Sequence, residues 1–196
     1  MDTTLKSTAQ VIAVMLIAAA ASQALYTALY AMEADIPRQA IWGAEGVLFT
    51  LLAAFAGSAM VRAKSVSIGW SAIFASALLN VVQVGVGLTM FGPFREAATA
   101  VEGVGPAAGG VVAYSFFVYN AAKLLLGLAA LAFGLARVKA GGKLLGWITV
   151  IVGLAALVTN AIAVVAGRID AVPSGAAGVA ATVLLALCVW GAVTDD

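Results

Sequence analysis

The chain contains no histidine and only one cysteine, Cys188. Without imidazole, a bis-histidine haem, a histidine-ligated metal and a histidine general base are all excluded within it. A single cysteine forms no internal disulfide, CxxC redox pair or thiolate cluster. Cys188 lies in an apolar run beside Val189 and Trp190 and reads as a buried, inert thiol. Charge is scarce too, at 10% of the residues, against about 25% in soluble domains. Too few ionic side chains remain to coat a globule in water. The formal net charge of +1 leaves no basic tract for nucleic acid and no acidic arm. No Walker loop, GxSxG elbow or HExxH helix occurs. Gly85-Val86-Gly87 falls inside a hydrophobic run and reads as close helix packing rather than a phosphate loop. The expectation is a protein that is not an enzyme and takes no cofactor or metal.

What is present is hydrophobic. Apolar residues make up 64% of the chain, the mean hydropathy is +1.10, and apolar runs longer than ~18 residues recur, as in bilayer-spanning helices. This predicts an all-α, polytopic membrane helical bundle: one transmembrane domain over residues 1–196 with about six spans. The spans fall near residues 7–32, 41–61, 65–91, 111–136, 144–167 and 175–193. The breaks between them carry charge, proline or glycine. The first holds Glu33, Asp35, Pro37 and Arg38, the second Arg62 and Lys64, the fourth Arg137, Lys139 and Lys143, and the fifth Arg168, Asp170 and Pro173. The third, from Gly92 to Gly110, reads as the one long loop. Its Pro93, Pro106, Gly109 and Gly110 bracket a short interfacial helix over Phe94–Val101.

Lysine and arginine bias sets orientation. Lys6, Arg62, Lys64, Arg137, Lys139 and Lys143 share one side in a six-span arrangement, whereas Arg38, Arg95 and Arg168 on the other have acids nearby, Asp35, Glu96 and Asp170. The expected protein is therefore a multi-pass component of the cell (inner) membrane with both termini cytoplasmic. Tyr26, Tyr30, Tyr114 and Tyr119 read as an outer aromatic belt. Lys6, the apolar run after it and Ser22-Gln23-Ala24 also have the form of a signal peptide. The apolar stretch continues to Tyr30, however, which favours a retained span.

Spans two and three resemble spans four and five at a constant offset, a parallel repeat of a helical hairpin over 41–91 and 118–167. Trp42 falls on Tyr119, Gly57 on Gly134, Arg62 on Lys139, Gly69-Trp70 on Gly146-Trp147, and Gln83 on Asn160. The two tryptophans, each just past a basic turn, read as interface anchors. Parallel repeats build central sites in some transporters, but alanine-rich spans also align under a shared hydrophobicity constraint. Small-residue pairs such as Ala53/Gly57, Ala130/Gly134 and Gly142/Gly146 mark close helix contacts.

Polar residues recur at one depth. Gln23, Glu45, Asn80, Lys123 and Asn160 each lie about 16 or 17 residues from a basic residue at the cytoplasmic boundary, a layer roughly 25 Å up. Gln83 and Asn120 are slightly further out. Glu45 and Lys123, of opposite sign, are the ionisable groups clearly inside hydrophobic spans, where an unpaired charge costs ~2.5–3.5 kcal/mol. Pairing or an aqueous cavity removes much of that cost. The layer reads either as an outward-facing polar pocket for a small polar or amphipathic ligand, or as a structural layer that fixes helix register. A retinal Schiff base at Lys123 is excluded by the small number of spans and by the lysine's place outside the last one.

Two function classes follow: transport or binding of such a ligand, with Glu45, Lys123, Asn80, Gln83, Asn120, Asn160 and Gln23 as its residues, or a non-catalytic subunit packed against partner membrane proteins. Lipid-modifying chemistry on Glu45 alone is weaker, because general acid–base work normally needs more than one positioned group. The expected partners are the lipid bilayer and either a second copy or another membrane protein, with no nucleic acid.

Overall fold

A backbone surrounded by lipid has to satisfy its own N–H and C=O groups, and a helix does so within one segment. The computed structural model, which describes residues 4–34, 37–167 and 172–191 (backbone only for 172–175), is helical throughout its apolar runs. The helices are α1 (Leu5–Ala31), α2 (Arg38–Arg62), α3 (Ser67–Ala100), α4 (Gly105–Lys139), α5 (Lys143–Ala166) and α6 (Val172–Trp190). The first five are long and apolar enough to cross a membrane. The protein is a multi-pass membrane helical bundle. Asp35, Arg168, Asp170 and the last two residues of the expected sixth span lie outside the described residues.

Local chemistry sets the ends. Thr4 caps α1, its hydroxyl oxygen accepting the Ser7 N–H at 3.1 Å. Pro37 stands immediately before α2, and Pro106 occupies the first turn of α4, where a missing N–H costs nothing. Gly103 turns the chain between α3 and α4 with φ +89, a conformation open to glycine at no steric cost.

The long third loop and its separate interfacial helix are not formed. Instead α3 runs through Pro93 to Ala100, and α4 starts at Gly105, with Gly109 and Gly110 inside it. Pro93 removes one backbone bond, to the carbonyl one turn earlier, and the sequence after it, Arg95-Glu96-Ala97-Ala98, favours helix enough to continue. With 34 and 35 residues, α3 and α4 are each about 50 Å long, against ~30 Å of hydrocarbon. Both overhang the start of α2 at the end remote from the basic turns, here the far end.

Neighbouring helices run up and down. At the basic end Arg62 Nη1 donates to Thr8 Oγ1 at 3.4 Å, and Arg137 Nη1 donates to the Gly191 carbonyl at 3.3 Å. Helices α1, α2, α3, α4 and α6 close into a ring, each touching the next, and α5 packs outside it on α4 and α6. The ring interior is lined largely by alanine, with Ile12, Leu16, Phe49, Leu52, Ile73, Phe133 and Leu185 filling it. The exterior is apolar, as a lipid-facing surface requires: Ile151, Val165 and Leu154 on α5 are all exposed.

The closest helix contact is the α4–α5 seam. A Cβ at Gly127 would lie 2.7 Å from the Leu157 backbone nitrogen, and one at Gly146 would lie 2.8 Å from the Gly134 carbonyl oxygen. Backbone meets backbone there, as small residues in membranes allow. In the other hairpin Gly57 faces only the Phe74 ring, which a Cβ would approach to 3.3 Å. The paired Gly-Trp motifs also differ. Trp147 is exposed, but Trp70 is buried, edge-on to Phe133 at 4.8 Å. Trp70 is thus a core residue and not an interface anchor, because α3 is covered on that face by α4, whereas α5 lies outside the ring.

Candidate functional site

The polar layer forms in two parts. On one side of the ring, α1 supplies the consecutive residues Ser22 and Gln23, which bond two different charged side chains. Gln23 Oε1 accepts from Lys123 Nζ of α4 at 2.5 Å, and Ser22 hydrogen-bonds the Glu45 carboxylate of α2. Glu45 and Lys123 are both buried and feel each other electrostatically, yet they make no direct ion pair. The backbones of α1 and α4 do not touch, so the Gln23–Lys123 bond crosses the ring interior on long side chains. Lys123 also lies over the Tyr119 ring at 5.4 Å. Its methylenes lie beside Gly178 of α6, where a Cβ would be in ordinary contact with them at 3.4 Å.

The second part joins α3 to α4. Ser76 Oγ donates to the Ala122 carbonyl at 2.9 Å. Asn80 Nδ2 donates to the Ser76 carbonyl at 2.9 Å, while Asn80 Oδ1 is buried and has no partner among the described residues. Gln83 Nε2 donates to Ser115 Oγ at 3.4 Å. Asn120 is buried on α4. Asn160, on α5 outside the ring, donates to the Ala156 carbonyl of its own helix at 2.7 Å. The seven expected residues are thus divided among a charged cluster (Gln23, Glu45, Lys123), an α3–α4 group that includes Asn80 and Gln83, and the separate buried residues Asn120 on α4 and Asn160 on α5.

An open cavity lies elsewhere, under the α3–α4 overhang at the far end. Its volume is about 520 Å³, within the ~300–1,000 Å³ usual for ligand pockets. Trp42 and Phe91 form part of its lining. Their rings meet edge-on at 5.7 Å, and Tyr26 of α1 stacks on Trp42 at 5.6 Å. Gly87 permits this arrangement, because a Cβ there would lie 2.8 Å from the Trp42 ring. Phe94, Val111 and Val112 extend the apolar lining, and Arg38, Gln39, Arg95 and Thr99 add polar groups. None of the seven residues of the polar layer lines it. Glu45 is three residues after Trp42 on α2, so the charged cluster lies about one turn from the cavity toward the basic end.

Sequence reasoning misses this cavity because it takes 92–110 as a loop and treats the far-side aromatics as a belt. Of those, Tyr30 and Tyr114 are exposed, whereas Tyr26 and Tyr119 turn to Trp42 and Lys123. The available signal is the repetition of aromatic residues at Phe91 and Phe94 beside Arg95, just past Gly87. Cys188 is buried with its sulfur 3.3 Å from Thr149 Oγ1 and is remote from the cavity lining. Comparison of the chain with protein-family models, curated proteins and solved structures finds no match.

Proposed function

We propose that this membrane protein binds a small amphipathic ligand at the far end of its bundle, and that it acts as a binding or transport protein rather than an enzyme. The observation that carries this reading is the cavity itself: aromatic and aliphatic over Trp42, Phe91 and Val112, polar at Arg38, Gln39 and Arg95. A site with one apolar and one polar portion is matched by a ligand of the same division. Glu45, Lys123, Ser22 and Gln23 serve this site from beneath, tying α1 to α2 and α4 so that Trp42 is held in place. The lysine and arginine bias of the other end supports a cytoplasmic location for that end, with α6 as a sixth crossing and the cavity facing outward.

The test is thermal stability of the purified protein across a panel of amphiphiles, alongside the variant Gly109→Trp. Gly109 lines the cavity with open space around its Cβ position, so a side chain can be introduced there, and an indole is large enough to obstruct the site. Stabilisation of the parent by at least one amphiphile, lost in Gly109→Trp, is the expected result. Equal stabilisation of both proteins by every amphiphile would show that the ligands act through the detergent layer.

A further inference from the structure

We infer that the ligand of this cavity carries an anionic head on an apolar chain, the head held by Arg38 and Arg95 and the chain lying over Trp42, Phe91 and Val112. The inference rests on the binding reading above and adds the charge and chemical class of the ligand. Two guanidinium groups line the cavity, and among the described residues no aspartate or glutamate does. Neither arginine forms an ion pair with a described carboxylate, although Glu96 follows Arg95 directly in the chain. Guanidinium groups favour carboxylate and phosphate oxygens through charge-assisted, often two-pronged hydrogen bonds.

The backbone adds to the same preference. Arg38 is the first residue of α2, and no side chain caps that helix. The N–H groups of Arg38 and Gln39 precede the first backbone bonds of the helix, made by Ala40 and Ile41; they point toward the end where the cavity lies, and a helix start favours negative charge. No cation is wanted by such a lining.

The levels of the two halves fit a lipid-like molecule. Gly87, against which Trp42 lies, is 20 residues along α3 from Ser67, or about 30 Å. That is close to the thickness of the hydrocarbon layer, ~30 Å. Arg95 is eight residues further, roughly 12 Å beyond. With Ser67, just past the basic turn, at one edge of the hydrocarbon, the aromatic part of the cavity meets the other edge, and the arginines stand at headgroup level. An alkyl chain entering from the leaflet reaches the aromatic surface while its anionic head meets the guanidinium groups.

The experiment uses the full chain in nanodiscs and reads quenching of Trp42 by brominated alkyl chains, taken as the difference between the parent and Trp42→Phe. Three probes are compared: a brominated phosphatidylglycerol, a brominated phosphatidylcholine and a free brominated fatty acid. The phosphatidylglycerol and fatty-acid arms distinguish a bilayer lipid from a free amphiphile as the source of the anion. The expected result is saturable Trp42 quenching by at least one anionic probe at roughly tenfold lower concentration than by phosphatidylcholine. Arg38→Gln with Arg95→Gln abolishes that preference, with the half-saturation point shifting about tenfold or more. Equal quenching by anionic and zwitterionic chains, or a preference unchanged in the double variant, overturns the anionic assignment and leaves the binding reading intact. Absence of Trp42-dependent quenching by every probe overturns both. An unchanged melting temperature of the double variant confirms that the comparison is between folded proteins.

Discussion

Lys123 gives its hydrogen bond to the neutral amide of the half-buried Gln23 and not to the carboxylate of the buried Glu45, although both acceptors belong to the same polar layer. Glu45 is held in parallel by Ser22, the residue before Gln23. One turn of α1 thus separates two opposite charges and bonds each of them. The consequence is a division of labour: short-range bonding runs through α1, and the attraction between α2 and α4 acts across space.

This arrangement predicts two distinct couplings. Gln23→Leu and Lys123→Met each destabilise the protein, and the double variant recovers about 1 kcal/mol, the scale of a hydrogen bond to a charged group moderated by the membrane. Glu45→Gln with Lys123→Met also recovers part of the summed loss, because removing one charge alone leaves the other uncompensated in a low-dielectric interior. Double-mutant cycles of unfolding in detergent measure both. Strict additivity for Gln23 and Lys123 contradicts the described bond.

The glycine seam gives a second expectation. Gly127→Ala and Gly146→Ala place a methyl against backbone atoms at 2.7 and 2.8 Å, which cannot rotate away, so α4 and α5 must separate. Each is expected to cost about 1–3 kcal/mol, the range for overpacking. Gly57→Ala, which meets only the Phe74 ring at 3.3 Å, costs less. Melting temperatures of the three variants, with the exposed Ala155→Leu as reference, check the order. A loss at Gly57 equal to that at Gly146 would show that the two hairpins pack alike.

A third test concerns the unequal tryptophans. Trp70→Ala opens a hole beside Phe133 in the ring interior and is expected to cost about 3–5 kcal/mol. Trp147→Ala removes a ring that is 51% exposed and costs under about 1 kcal/mol. Similar losses at both positions would restore their equivalence as anchors.

How far the sequence reveals this molecule follows from these particular residues. Apolar runs interrupted around Pro37, Lys64, Ala140 and Gly167 locate the junctions on either side of α2 and α5, because length and hydropathy alone decide whether a segment spans lipid. Pro93 misleads because a proline near a helix end is read as a stop, whereas here the strong helix formers beyond it continue α3. The level of the polar layer is legible from residue counts, since helical rise is constant. Its partners are not. Rotation of each helix about its axis decides whether Lys123 meets Glu45 or Gln23, and alanine-rich spans carry little information on rotation. Trp70 and Trp147 illustrate the same limit, sharing a motif but not a face.

The proposed topology rests on the lysines and arginines of the basic end. Thr99 and Ala140 are both exposed, at opposite ends of the bundle. A cysteine at Thr99 is expected to react with a membrane-impermeant thiol reagent added to intact cells, and one at Ala140 only after lysis. Cys188, being buried, serves as an unreactive background. Labelling of Ala140→Cys alone in intact cells reverses the assignment and turns the cavity inward.

Native mass spectrometry of the protein extracted gently from its membrane, parent beside Gly109→Trp, shows most directly whether the cavity holds a ligand. A ligand in the cavity gives a retained adduct of one small amphiphile on the parent, depleted in the variant while the melting temperature stays the same. Adducts of equal mass and abundance on both proteins, or none on either, contradict a ligand in the cavity beneath the α3–α4 overhang.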